Sequence, residues 1–140
     1  MAIYNTFKKL IMDGGIDLDT SGDTIKVALC TSTYTPNIDT HDYFDDITNE
    51  VVGTGYTAGG ATLANQATTV DTTDDEGVFD ADDVAWTTST LTARYAIIYK
   101  STGTSSTSPL IGYIDFSSDK SSVTGTFTIQ WNAEGILNLG

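Results

Sequence analysis

Along the last third of the chain, apolar and polar residues alternate. In Thr126-Phe127-Thr128-Ile129-Gln130-Trp131, the side chains of Phe127, Ile129 and Trp131 fall on one side of the pleat and Thr126, Thr128 and Gln130 on the other. That is the pattern of a strand buried on one face and wet on the opposite one. Two further strand-like runs precede it, Ala93 to Lys100 and Leu110 to Phe116, and the stretches between the runs, Ser101 to Ser108 and Ser117 to Ser122, hold only small or polar residues. Those stretches predict exposed turns, so the three runs predict an antiparallel meander whose apolar face the rest of the chain must cover.

Upstream, Ile25, Val27 and Leu29 alternate with Lys26, Ala28 and Cys30, a strand that Pro36 helps to end. Ala67 to Val70 predicts another strand, and Ile136, Leu137 and Leu139 predict a last strand tied into a sheet. The helical period appears once. Ile3, Tyr4, Phe7, Leu10 and Ile11 recur at three- and four-residue spacings against Asn5, Lys8 and Lys9, predicting an amphipathic helix over residues 2–13 stopped by Gly14-Gly15. Its apolar stripe either closes one end of the β core or packs on a neighbouring subunit. Asp39 to Ile47 predicts at most one helical turn, with Thr40 as its cap and Tyr43, Phe44 and Ile47 turned inward.

These elements predict an all-β fold: a single antiparallel β-sandwich or jelly-roll-like domain over residues 24–140 behind the short N-terminal helix. A chain of 140 residues with 39 % hydrophobic and 18 % charged residues suffices for one core without metal or disulfide support. The 19 acidic and 6 basic residues, net charge −13, disfavour a nucleic-acid backbone or an anionic membrane as partner. A basic or mixed protein surface suits such a chain better. The N-terminus has lysines and no long apolar block, so neither a signal peptide nor a membrane span is expected there.

Candidate chemistry is sparse. Cys30, the one cysteine, sits in an apolar run and reads as a small core residue. His41, the one histidine, lies beside Asp39 and Asp42, but a zinc site wants three or four convergent N or S ligands, so a surface histidine fits better. Arg94, the one arginine, is expected to pair with a carboxylate or to lay its stem on apolar surface. Gly53, Gly55, Gly59 and Gly60 follow neither a dinucleotide nor a P-loop spacing. They read as positions of positive φ or close backbone approach, and as a subunit contact centred on Tyr56, Gly59 and Gly60. The acidic stretch Asp71 to Asp83 offers Asp80, Asp82 and Asp83, with Asp74 or Asp75, as calcium candidates. It lacks the ligand spacing of an EF-hand, and a solvated acidic turn leading into a strand with Val84 and Trp86 is the plainer reading.

Ala2-Ile3-Tyr4-Asn5, Asp23 to Leu29, Asn49-Glu50-Val51, Gly53 to Leu63, Gly77 to Val84, Thr92 to Lys100, Pro109-Leu110-Ile111 and Phe127 to Asn132 stand through most of the chain. In these stretches the chain resembles a family of small virion proteins encoded by tailed bacteriophages. The resemblance implies a structural particle component, capsid decoration or cement, made in the host cytoplasm and located in the virion. It implies the major capsid protein or other virion proteins as partners, a homo-oligomer, no cofactor and no enzymatic activity.

The docking candidates are then Ile3, Tyr4, Phe7 and Leu10 on the helix and Tyr56, Gly59 and Gly60 in the loop. A neck, tail or fibre-attachment protein is the nearest alternative. A carbohydrate-binding β-sandwich using Tyr56, Trp86 or Trp131 with calcium is an alternative of another class.

Overall fold

The alternating segments pair into two antiparallel sheets behind one short helix, giving an all-β, sandwich-like architecture. The computed structural model describes residues 1–140. In chain order the elements are β1 (Ala2–Ile3), α1 (Asn5–Asp13), β2 (Ile25–Cys30), β3 (Ala61–Thr62), β4 (Ala67–Asp71), β5 (Glu76–Asp80), β6 (Val84–Lys100), β7 (Leu110–Ile129) and β8 (Leu137–Leu139), with single 3-10 turns at Phe44–Asp46 and Ser105–Thr107. The larger sheet has the order β1-β7-β6-β2-β3 and the smaller β4-β5-β8.

The expected three-strand meander is corrected to a single long hairpin. Val84 to Trp86 and Ala93 to Lys100 belong to one strand, β6, and the runs around Leu110 and Phe127 belong to one strand, β7. Ser117 to Ser122 does not reverse the chain. Ala93 pairs with Lys120 and Tyr95 with Asp115, so Phe116, Ser117, Ser118 and Asp119 bulge opposite Arg94 alone. Ser117 takes a left-handed φ of 66° there, and its N–H donates to Asp115 Oδ1 at 2.7 Å. Arg94 clamps the break, its Nε 2.5 Å from Asp115 Oδ1 and its Nη2 3.1 Å from Oδ2. Small polar residues serve a strand segment that is wet on both faces as well as they serve a turn, so composition alone did not separate the two.

Two clusters of side chains flank the larger sheet. Ile25, Val27 and Leu29 of β2 join Phe7, Phe79, Trp86, Phe127 and Trp131 in the main core between the sheets. Ala28 and Cys30, from the other face of β2, join Tyr4, Tyr34, Ile97, Tyr99 and Leu110 under the 31–47 segment. β2 and the Ala96 to Tyr99 part of β6 are therefore buried on both faces. Phe44 stacks on Tyr99 with ring centroids 4.2 Å apart.

Three local expectations shift. The helix starts at Asn5, since Ala2 and Ile3 pair with Tyr113 and Gly112 of β7. It stops at Gly14, whose φ of 76° suits glycine. The turn after Tyr43 is capped by Asp46, whose Oδ2 accepts from the Asp42 and Tyr43 amides at 2.8 and 3.1 Å, and not by Thr40. Tyr43 itself is exposed. The acidic stretch is only partly a turn, because Glu76–Asp80 forms β5 and pairs with both β4 and β8.

Candidate functional site

The glycine-containing loop lies flat on β2 and β6, held by one carboxylate. Glu50 Oε1 accepts from the Tyr56 hydroxyl at 2.7 Å and from the Gly59 amide at 2.6 Å. The same hydroxyl accepts from the Leu29 amide at 2.9 Å, and the Tyr99 hydroxyl donates to the Gly59 carbonyl at 2.7 Å. Burial pushes the Tyr56 hydroxyl far up, and the Glu50 charge adds to this, so it stays protonated. Gly60 has φ of 74°, and a Cβ there would stand 1.9 Å from the Val27 carbonyl oxygen. The glycines thus let one backbone settle against another. An anion has no place here, since the Gly59 amide already faces a carboxylate. Of the three loop candidates, Tyr56, Gly59 and Gly60 are half-buried and bonded within the chain.

Of the candidates expected on the helix, Tyr4 and Phe7 are buried in the chain's own cores, Ile3 is paired in the sheet and Leu10 packs half-buried against the main core. Tyr4 and Phe7 are therefore corrected from docking residues to core residues. Burying a phenyl ring stabilises the folded chain by about 2 kcal/mol, which a side chain held out for a partner forgoes. The Tyr4 hydroxyl lies 3.0 Å from that of Tyr34, which lies 2.8 Å from His41 Nδ1. His41 also stacks on the Tyr34 ring, so the histidine is a half-buried partner in a hydrogen-bond chain. Burial raises the Tyr4 hydroxyl strongly and pushes Tyr34 up to about 12. The buried Cys30 thiol is likewise pushed up to about 12 by burial and by the Glu50 charge. A thiol held protonated is a poor nucleophile.

The calcium candidates do not converge. Asp82 Oδ2 accepts from Asn65 at 2.6 Å, Asp83 Oδ1 accepts from the Trp131 amide at 2.9 Å, and the Trp131 indole donates to the Asp82 carbonyl. These bonds fasten the start of β6 to the C-terminal segment. Asp80 Oδ1 is buried without a partner. The carboxylates that do come together are Asp71, Asp74 and Glu134, with oxygens within 4.8 Å of one another. Glu134 reaches them only through the tertiary fold, and no local spacing announces it. Exposed acidic groups of this kind commonly gather without an ion. Trp86 and Trp131 are buried, so the carbohydrate reading loses its stacking platform.

A cleft of about 450 Å³ separates the end of α1 and the following loop, with Ile11, Ile16 and Leu18, from the smaller sheet, with Gly77, Phe79 and Leu139. Sequence reasoning missed it because β5 was not foreseen. No helix of the chain is long and apolar enough to cross a membrane. Comparison with protein-family models, with curated proteins and with solved structures finds no match to this chain.

Proposed function

We propose that this chain is a non-enzymatic structural component of a tailed-bacteriophage particle, a decoration or cement protein bound to the outer capsid shell. One observation supports it above the others: the side chains that would ordinarily carry chemistry are tied into the scaffold. Glu50 holds the glycine-containing loop, His41 ends a tyrosine chain, Cys30 is buried and Arg94 braces a bulge. The resemblance to small virion proteins points the same way, since the stretches that carry it include the glycine-containing loop, β2 and the second half of β6. Such a protein works by shape and surface, and weak contacts repeated over a symmetric lattice give firm attachment in aggregate.

Cryo-electron microscopy of purified particles, with quantified composition, tests the proposal. Many copies spread over the shell are expected. A few copies at one vertex would move the chain to the neck, tail or fibre attachment, and its absence from particles would end the reading.

A further inference from the structure

The smaller sheet carries an unfilled row of side chains at its open end. Across it, Thr68, Phe79 and Leu137 stand opposite one another, and one step outward Val70, Gly77 and Leu139 do the same. Alternation along each strand puts both rows on the core side of the sheet. The inner row is closed by buried Phe79 and Leu137. The outer row is not. Val70 is 78 % exposed and Leu139 50 % exposed, and a Cβ on Gly77 between them would find only the Leu139 carbonyl oxygen, at 3.9 Å.

With neighbouring strands about 4.8 Å apart, the backbones of Val70 and Leu139 stand about 10 Å from each other. That gap, floored by glycine and walled by two aliphatic side chains, has the width of one large apolar side chain. Of the row, Gly77 and Leu139 also line the cleft whose far wall carries Ile11 and Ile16, while Val70 stands beyond the cleft's edge.

The charges around the notch select the partner. Asp17 and Asp19 line the α1 side of the cleft. The ammonium of Lys9 on α1 is engaged by Asp13 at 2.5 Å. A second copy of a chain with net charge −13 is repelled by such a rim, whereas a basic segment is drawn to it.

We propose that the Val70–Gly77–Leu139 row is a docking notch for one bulky apolar side chain presented on a lysine- or arginine-rich segment of a partner protein. If the chain is a particle component, as proposed above, this is where it grips its neighbour. The test below reads the notch in purified protein and the particle experiment reads the role, so either can fail alone.

The probe is a fluorescein-labelled peptide, Lys-Lys-Leu-Lys-Lys, compared with its serine analogue by fluorescence anisotropy. The wild-type protein is expected to prefer the leucine peptide by about tenfold, from burial of one aliphatic side chain. Added salt weakens both peptides and leaves the preference in place. Gly77→Leu, which has room for its side chain in a strand, fills the notch and abolishes the preference. Val70→Ser combined with Leu139→Ser, at exposed positions, does the same by removing the walls. Equal binding of the two peptides to the wild type, or a preference that survives in Gly77→Leu, would overturn the proposal. So would a wild-type dimer in sedimentation that Leu139→Ser dissociates.

Discussion

The Tyr56 hydroxyl donates to the Glu50 carboxylate at 2.7 Å while it accepts the Leu29 amide at 2.9 Å. A single oxygen therefore joins the glycine-containing loop to the end of β2, the strand buried on both faces. The loop has no strand of its own until Ala61, so its position depends on this contact and on the glycines that allow it.

Removing that oxygen tests how much depends on it. Tyr56→Phe keeps the ring against Trp86, whose centroid is 5.8 Å away, and leaves the Leu29 amide without an acceptor. Glu50 loses one donor at the same time. An unsatisfied buried amide and a lost bond to a carboxylate together cost about 2 to 4 kcal/mol. Equilibrium unfolding in urea should show the midpoint fall with an unchanged slope. An unchanged midpoint would mean that the Gly59 contacts and the Thr54–Thr90 bridge hold the loop without it.

Two glycines with positive φ separate conformational freedom from close approach. Gly60→Ala would drive a methyl into the Val27 carbonyl, whereas Gly103, with φ of 86°, faces open space. Gly103→Ala is expected to cost about 1 kcal/mol from backbone strain alone. Gly60→Ala adds a backbone collision and should cost several kcal/mol more or prevent folding. Similar thermal unfolding curves for the two variants would contradict the packing described for the loop.

How far the sequence revealed this fold depends on which force acted locally. β2 and the Ala93 to Lys100 part of β6 were legible because short runs of β-branched and aromatic residues bounded by turn-forming residues read as strands. The bulge at Ser117 was not, because it is decided by Asp115 reaching Arg94 across the hairpin, a contact without a local signature. Tyr4 and Phe7 fitted an amphipathic stripe equally well as core or as interface, and only the positions of the sheets decide between them. The carboxylate trio and the Val70–Gly77–Leu139 row both require β5, a short strand whose acidic ends masked its pairing.

The turn that carries Phe44 onto Tyr99 should respond to acid. Amide donation from Tyr43 and Asp42 holds the Asp46 carboxyl below the ordinary carboxylate range, with His41 adding to the effect. A lowered pKa in the folded state means that the unfolded chain binds the proton more readily. The carboxylate's contribution is thus complete above about pH 4, and it disappears as pH falls through the lowered value. Asp46→Asn retains an acceptor and removes the titration. Wild-type stability should exceed that of the variant at pH 7, and the difference should shrink as pH falls below 4. Urea midpoints measured from pH 7 to pH 2 give the comparison, and a difference independent of pH would refute the assignment.

Cys30 offers a direct measure of how closed the second cluster is. Its thiol is pushed up to about 12 by burial and by Glu50, so roughly one part in ten thousand is thiolate at pH 8. No surface path leads to it, since the residue is fully buried beneath Tyr34 and the 31–47 segment. An aromatic disulfide reagent should therefore leave the native protein unlabelled and react with one equivalent of thiol in denaturing urea. Slow labelling in native buffer would report transient opening, and its rate should rise in Tyr34→Phe, which loses the bonds to Tyr4 and His41. Fast stoichiometric labelling of folded protein would show an accessible thiolate. It would also return to this chain the reactive group that the structural role denies it.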